Sequence, residues 1–336
     1  MALSSRSFPN RMRLAAFPLG RVFFLLVFLT LQFQAAADTA STSPKELLAQ
    51  GRVDEAIELL DRQIAHSPDA ESYNLLCRAH FMLEEWDRGI PDCERARDLD
   101  PKNSLYELWL GRIYGEKADR AGLMSAAGLA KKVRVAFERA VELDPSNWQA
   151  RTDLAEFYID APGIVGGGKD KARQQADALM TLNPARSHWV AGRIAEKNKD
   201  AAAAELEYRA AVAVSHSAVR EWVDLANFYR HANRLDDMAQ ALRHLESAPM
   251  DRADSLMDGA SLLFRTNRDP ALAVGLLRKY LAAPAEEGPA FKAHDLLGQL
   301  LEKQGDRDGA AQEYRAALSL ARGYARAQED LRRLSH

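Results

Sequence analysis

The chain has only two cysteines, few aromatic residues and no long apolar run after residue 37. Two cysteines exclude a disulfide-rich framework and a cysteine-based metal cluster. Its eight histidines are scattered, without an H-E-x-x-H motif or a nucleophile elbow, so we predict no catalytic site, no metal site and no cofactor. The formal charge of −3 gives no reason to expect nucleic acid as a partner.

Residues 1–37 have the order of parts of a secretory signal peptide. The segment carries arginines and no acidic residue, an apolar core at 22–31 and three alanines at 35–37. That core is shorter than the roughly 20 residues that span a bilayer. We therefore predict cleavage after residue 37, a short linker over 38–43 and an exported chain, periplasmic or secreted, without an integral membrane span. An uncleaved segment that anchors the chain in the inner membrane is the alternative.

A phrase of alternating small and large residues recurs along the rest of the chain. It reads CERARDLDPKN at 93–103, AFERAVELDPSN at 136–147 and ADALMTLNPAR at 176–186, and copies without the proline lie at 204–216 and 310–322. A period of about 34 residues built on helix-sized units is typical of a stacked array of helical hairpins. The sequence therefore predicts an all-α fold.

The residues of one unit resemble the tetratricopeptide repeat (TPR) family, whose units combine early large residues, a Leu-Gly or Leu-Ala pair and later small and aromatic positions. In that unit the matching positions are Trp109, Leu110, Gly111, Tyr114, Phe137, Ala140 and Pro145. The resemblance implies a right-handed superhelix of about eight hairpins over 44–322, followed by a capping helix over 323–336. The predicted units lie near 44–70, 70–103, 104–147, 148–184, 185–218, 219–250, 251–287 and 288–322.

Two units are longer than the period, with the excess near 117–132 and at 161–168. Insertions in repeat proteins map to loops, often on one face, and such loops often bind. We therefore expect both insertions to project on the same edge. The pair also resembles a subset of exported bacterial repeat proteins with a PGIVGGG insert, which implies a shared architecture without an assigned chemistry. The candidate functional loop comprises Pro162, Gly163, Gly166, Gly167, Gly168 and Lys169.

The same loop nearly matches a phosphate-cradling motif. Asp170 replaces the hydroxyl that the motif needs, and the residues before the loop have helical spacing where the motif requires a strand. A flexible connection between helices, with Asp170 capping the second helix, is the simpler interpretation.

Cys77 and Cys93 lie in one unit, about eight residues to either side of its turn near Glu85. In an antiparallel helix pair they face one another, so a disulfide is feasible in an oxidising compartment. Two small buried thiols that merely pack are the alternative.

Family geometry implies a concave groove lined by the first helix of each unit. A partner groove of arginines and aromatic residues could clamp an acidic or carboxylate-ended peptide. We favour the alternative in which each arginine pairs with a neighbouring acidic residue. The groove residues are Asn74, Arg78, Phe81, Arg112, Trp189, Arg193, Asn227 and Arg230.

The functional expectation is a non-catalytic protein- or peptide-binding scaffold that acts outside the cytoplasm. A structural subunit of a periplasmic or envelope assembly is the first alternative. A phosphate-ligand-binding protein that uses the glycine loop at 163–169 is the second. The partner's identity and the oligomeric state do not follow from the sequence.

Overall fold

The computed structural model describes residues 42–249, 254–282 and 289–334, except for the side chains of residues 123 and 124. The predicted signal peptide at 1–37 and most of the linker at 38–43 lie outside the described residues. From Ser43 onward the chain forms one compact unit.

The described residues contain 17 α-helices and no strand, which confirms the prediction of eight hairpins followed by a C-terminal helix. In chain order the helices are α1 (Pro44–Ala49), α2 (Val53–His66), α3 (Ala70–Met82), α4 (Trp86–Leu99), α5 (Ser104–Arg120), α6 (Leu123–Leu143), α7 (Trp148–Asp160), α8 (Lys169–Leu182), α9 (Pro184–Lys197), α10 (Ala201–Val214), α11 (Val219–His231), α12 (Leu235–Arg243), α13 (Asp254–Thr266), α14 (Pro270–Ala282), α15 (Ala290–Lys303), α16 (Arg307–Leu320) and α17 (Ala325–Leu334). Each of these helices is too short or too polar to cross a membrane.

The first helix of several hairpins begins at an Asp or Asn that caps it. The side chain of Asp69 accepts a hydrogen bond from the Ser72 amide, and Asn147 accepts one from the Ala150 amide. Such a cap satisfies an amide that has no partner within the helix. Asn183 ends α8 and caps α9, so one residue sets a helix end and the next helix start.

The glycine of each Leu-Gly pair lies beneath an aromatic ring of the second helix of its hairpin. A Cβ on Gly111 would lie 2.3 Å from the Phe137 ring, and one on Gly298 would lie 2.5 Å from the Tyr314 ring. Because glycine has no Cβ, the aromatic ring fits against its backbone, and the two helices approach more closely than they could with a larger residue at this position. This contact explains why small and aromatic residues recur together along the sequence.

We expect Gly111→Ala to lower the free energy of unfolding by about 1–3 kcal/mol, because its Cβ would overpack the Phe137 ring. Gly115, one turn later in α5, provides the matched control, because a Cβ added there would meet no atom within 4 Å. Gly115→Ala should raise stability by up to about 1 kcal/mol, because alanine favours a helix interior. Urea unfolding of both variants tests this, and equal effects would contradict it.

The first and last hairpins contact each other through a shared apolar cluster. Leu47 and Leu48 of α1 are buried together with Phe291 of α15 and Ala327 of α17. A Cβ on Gly51, whose φ is +72°, would lie 2.6 Å from Cβ of Ala290, so only glycine suits this position. The last hairpin therefore packs against the first, a contact that we call the closure.

Polar contacts surround this closure. The guanidinium Nε of Arg322 donates to Asp54 (2.9 Å), its second nitrogen donates to Glu58 (2.6 Å), and Lys292 donates to Glu84 (2.6 Å). Arg322 is largely exposed, so solvent screens its ion pairs and they contribute little to the stability of the fold. The buried apolar cluster is consequently the larger stabilising contribution.

The C-terminal helix has a second neighbour besides the last hairpin. We expected the segment 323–336 to cover an otherwise open end of the array. In the structure α17 packs on α16, but Ala327 of α17 is also buried in the cluster that contains α1. The last hairpin thus has the first hairpin as a second neighbour.

Candidate functional site

The longer of the two insertions is helical, which corrects the expectation of a loop. The excess near 117–132 lengthens α5 to 17 residues and α6 to 21 residues. The segment is rich in alanine, lysine and leucine, which are strong helix formers, and this composition favours extension of both helices over a loop.

The second insertion, between α7 and α8, forms a single 3-10 turn at Gly163–Val165 that contacts α6. Gly166 has a φ of +105°, and a Cβ there would lie 2.5 Å from Cδ of Arg134 on α6. A Cβ on Gly167 would lie 1.8 Å from the carbonyl oxygen of Ala161. The glycines therefore allow the chain to turn tightly against α6, the helix that the first insertion lengthens.

Two residues of this turn point in opposite directions. The Val165 side chain is buried, whereas the neighbouring Ile164 is 87% exposed. The Gly168 amide donates to the Tyr158 carbonyl (2.8 Å), and the Lys171 ammonium donates to the Gly166 carbonyl (3.0 Å). The turn thus presents an apolar side chain to solvent from a backbone that hydrogen bonds hold on both sides.

The environment of Lys169 does not favour phosphate. Its ammonium donates to Asn198 (2.5 Å), and the preceding element is helix α7, where the phosphate motif requires a strand. Asp170 lies in the first turn of α8 and does not cap it, because the cap position is Gly168.

The predicted partner groove offers fewer open groups than the sequence suggested. Asn74, Arg78 and Trp189 are buried, and Phe81 is half-buried against Trp86 and Trp109. The Arg78 guanidinium lies over the Trp109 ring at 5.1 Å.

Two of the four groove arginines pair with acidic residues of a neighbouring hairpin. Arg112 donates to Asp153 (2.6 Å), and Arg193 donates to Glu156 (3.0 Å) and Asp160 (2.7 Å). Burial alone would lower the pKa of Arg193, but the two carboxylates outweigh it and the net shift is upward. These pairs follow the alternative that the sequence analysis favoured.

The other two groove residues, Asn227 and Arg230, are half-buried on α11, and Arg230 contacts the His231 ring nitrogen at 2.7 Å. The groove as a binding surface stays a prediction.

Cys77 and Cys93 are fully buried and their Cα atoms lie 5.2 Å apart, with the two sulfurs paired as a disulfide. The Cα separation lies within the ordinary range of disulfides. Oxidation of the pair in the cell stays a prediction.

We expect both thiols to resist alkylation in unreduced protein and to react after reduction in denaturant. Reduction should lower the free energy of unfolding by about 3 kcal/mol, because the bond restricts a short loop of the unfolded chain. The Cys77→Ala/Cys93→Ala variant should not respond to the reductant. Mass spectrometry that finds free thiols in exported protein would refute the disulfide.

Sequence reasoning missed a buried ionic cluster between α9 and α11. Arg186 is 1% exposed and donates to Glu221 (2.8 Å) and Asp224 (2.5 Å), and its guanidinium lies over the Trp189 ring at 5.2 Å. Burial alone would lower the pKa of Arg186, but Asp224 and Glu221 reverse the shift. Arg186 lies 35 residues before Glu221 and 38 before Asp224, about one repeat, and this spacing was the only sign in the sequence that the three side chains could meet.

A second missed residue is Asp295 of α15, which is 1% exposed. Burial and the nearby charge of Asp330 raise its pKa to about 6, against the opposing effects of Arg326 and of hydrogen bonds from Gln299 and Tyr324. A carboxyl group with a raised pKa in the folded state stabilises the fold at low pH and loses that contribution as pH rises through its folded pKa.

We therefore expect Asp295→Asn to raise the free energy of unfolding at neutral pH by about 2 kcal/mol, because the amide has no charge to desolvate. The difference from the wild type should shrink between pH 6 and the ordinary pKa of aspartate, 3.8, and vanish below it. Urea unfolding over this range measures the difference, and a pH-independent difference would contradict the assignment.

Comparison with known proteins identifies repeats at both ends of the described array. Residues 45–104 and 291–324 match family models described as tetratricopeptide repeat. Mouse sperm-associated antigen 1 is 28% identical over 115 residues, which cover 34% of this chain and 12% of that protein. The chain thus spans a small part of that relative.

Two solved structures are similar in fold. Yeast Tom70 is 16% identical with a TM-score of 0.50, and the match covers 89% of this chain and 65% of that one. A TPR protein of Thermus thermophilus is 16% identical with a TM-score of 0.45, covering 60% of this chain and 95% of that one. At this identity the likeness concerns the fold.

Proposed function

We propose that this chain is a non-catalytic scaffold that binds a protein or peptide partner outside the cytoplasm. The repeats at both ends of the array support a protein-interaction role, since such arrays present extended binding surfaces. The signal-peptide pattern of residues 1–37 supports export.

The observation that carries the proposal is the contact between the second insertion and α6, the helix that the first insertion lengthens. Stacking of the hairpins requires neither a lengthened α5–α6 pair nor the turn at 163–165, yet Gly166 of that turn packs against Arg134 of α6. We call this combined surface the insertion face. Added structure that the core does not need is a feature of binding loops on rigid scaffolds.

The test is affinity capture from envelope extracts with Ile164→Asp as bait. Ile164 is 87% exposed, so the substitution leaves the core intact while it places a charge on the insertion face. Leu206→Asp is the matched control, because Leu206 is 68% exposed on α10. We expect wild type and control to retain the same partner and Ile164→Asp to lose it.

Retention of that partner by Ile164→Asp would exclude the insertion face as its binding surface. Wild-type bait that retains no protein would contradict the scaffold function. The mass of the exported chain tests localisation separately, since cleavage should leave Asp38 as the first residue.

A further inference from the structure

An open groove of about 600 Å³ lies between α4, α5 and α6. Its floor contains Leu110, Tyr114 and Ala136, which are buried, and Val135, which is 57% exposed. The lengthened α6 supplies one whole wall of the groove. We call it the α4–α6 groove.

The groove is locally basic although the chain as a whole is acidic. Its lining includes four cationic side chains (Arg97, Lys131, Lys132 and Arg139) and two acidic ones (Glu94 and Glu107), a formal charge of +2 against −3 for the chain. An acidic segment of a partner would therefore find cationic side chains to pair with in this groove.

Several of these charges are already engaged. Arg97 donates to Asp98 (2.8 Å), and Arg139 pairs with Glu142 (2.9 Å). The carboxylate of Glu94 accepts a hydrogen bond from the Tyr114 hydroxyl. Burial raises the pKa of Glu107 against the opposing effects of Arg97 and Arg139. Glu94 and Glu107 offset the formal charge of the two lysines, but within the described residues neither carboxylate lies within 4 Å of the ammonium group of Lys131 or Lys132.

The two lysines are the groups left to meet a ligand. Lys132 lies over the Tyr114 ring at 4.8 Å, and within the described residues Lys131 has no carboxylate within 4 Å. The two lysines are adjacent on α6 and lie four and three residues before the exposed Val135. Cations and an exposed apolar side chain thus share one groove.

We infer that the α4–α6 groove binds a segment of a partner protein that carries carboxylates next to an apolar side chain. The apolar side chain packs against Val135 and the floor of the groove, and the carboxylates accept hydrogen bonds from the ammonium groups of Lys131 and Lys132. The inference rests on the proposed scaffold function and adds the chemistry of the partner.

The test uses fluorescence anisotropy with a labelled peptide that repeats Asp-Glu-Leu, and with a charge-reversed peptide that repeats Lys-Lys-Leu. The acidic peptide should bind saturably, less tightly as salt rises, and the basic peptide should not bind. Lys131→Glu/Lys132→Glu should weaken binding roughly tenfold or more, since two attractions become repulsions. Lys102→Glu/Lys199→Glu, which makes the same change in net charge at exposed positions outside the groove, should leave affinity unchanged.

The apolar contact is tested with Val135→Ser, which should weaken the acidic peptide several-fold without changing its dependence on salt. Val214→Ser on α10, where the side chain is 45% exposed, is its control. Absence of binding by the acidic peptide would overturn the inference. Equal losses in both lysine pairs, or tight binding of the basic peptide, would also overturn it.

Lysine-dependent binding to anionic lipid vesicles without binding of the peptide would assign the groove to a membrane surface and likewise reject the inference. The scaffold function is tested separately, by affinity capture with the Ile164→Asp variant, and none of the peptide or vesicle results affects the outcome of that capture. Failure of the groove and failure of the scaffold are therefore distinguishable.

Discussion

Replacement of Arg186 by methionine is expected to lower the free energy of unfolding by about 3–5 kcal/mol. The methionine fills much of the same volume, but Glu221, which is 4% exposed, and Asp224 lose the cation that they share. A buried carboxylate without its cation keeps the cost of desolvation and loses the compensating attraction. Urea unfolding followed by circular dichroism measures the change.

Arg193→Met provides the matched control on the same helix. Arg193 also pairs with two carboxylates, Glu156 and Asp160, but its side chain is 22% exposed and those carboxylates are nearly half exposed. Solvent screens such pairs, so the loss should be at most about 1 kcal/mol. Similar losses in the two variants would show that burial of the Arg186 cluster has no energetic consequence.

Replacement of Phe291 by alanine is expected to cost about 3–5 kcal/mol and to separate the first hairpin from the last. The ring is fully buried, lies 4.9 Å from the Tyr324 ring and belongs to the apolar cluster with Leu47 and Leu48. The exposed ion pairs of Arg322 are too weak to hold the closure without it. Small-angle X-ray scattering should show a larger radius of gyration for the variant.

Phe137→Ala is the control for this experiment. Phe137 is also buried, beside Gly111 in the middle of the array, so its loss should destabilise the fold comparably. The radius of gyration should stay at the wild-type value, because the closure lies elsewhere. An unchanged radius in Phe291→Ala would mean that the closure does not depend on this ring.

The hairpins were predictable because the sequence encodes them locally. Caps such as Asp69 and Asn147, and the contact of Gly111 with Phe137, repeat at the period of the array and involve one hairpin at a time. The fold of each hairpin can therefore be predicted from the sequence of that repeat alone.

The closure was not predictable from this pattern. Arg322 and Asp54 are separated by 268 residues, and each sits in a hairpin with an ordinary repeat sequence. Whether the two ends of an array meet depends on small rotations between successive hairpins, which accumulate over eight units and leave no local signal.

The insertions were predicted in position more than in form. The excess residues marked the insertion face, but a length difference alone does not distinguish a loop from two longer helices at 117–132. The groove arginines were identifiable as residues, whereas their partners Asp153 and Asp160 lie on neighbouring hairpins and require the stacking geometry.

The closure also has a consequence for how copies of this chain can associate. The first-hairpin face around Leu48 and the last-hairpin face around Phe291 are complementary but different, so together they form a heterologous interface. Such faces join head to tail, and two chains that exchanged them would extend into a line or a larger ring. Within one chain the stacked hairpins hold the two faces next to each other, which favours the closed monomer.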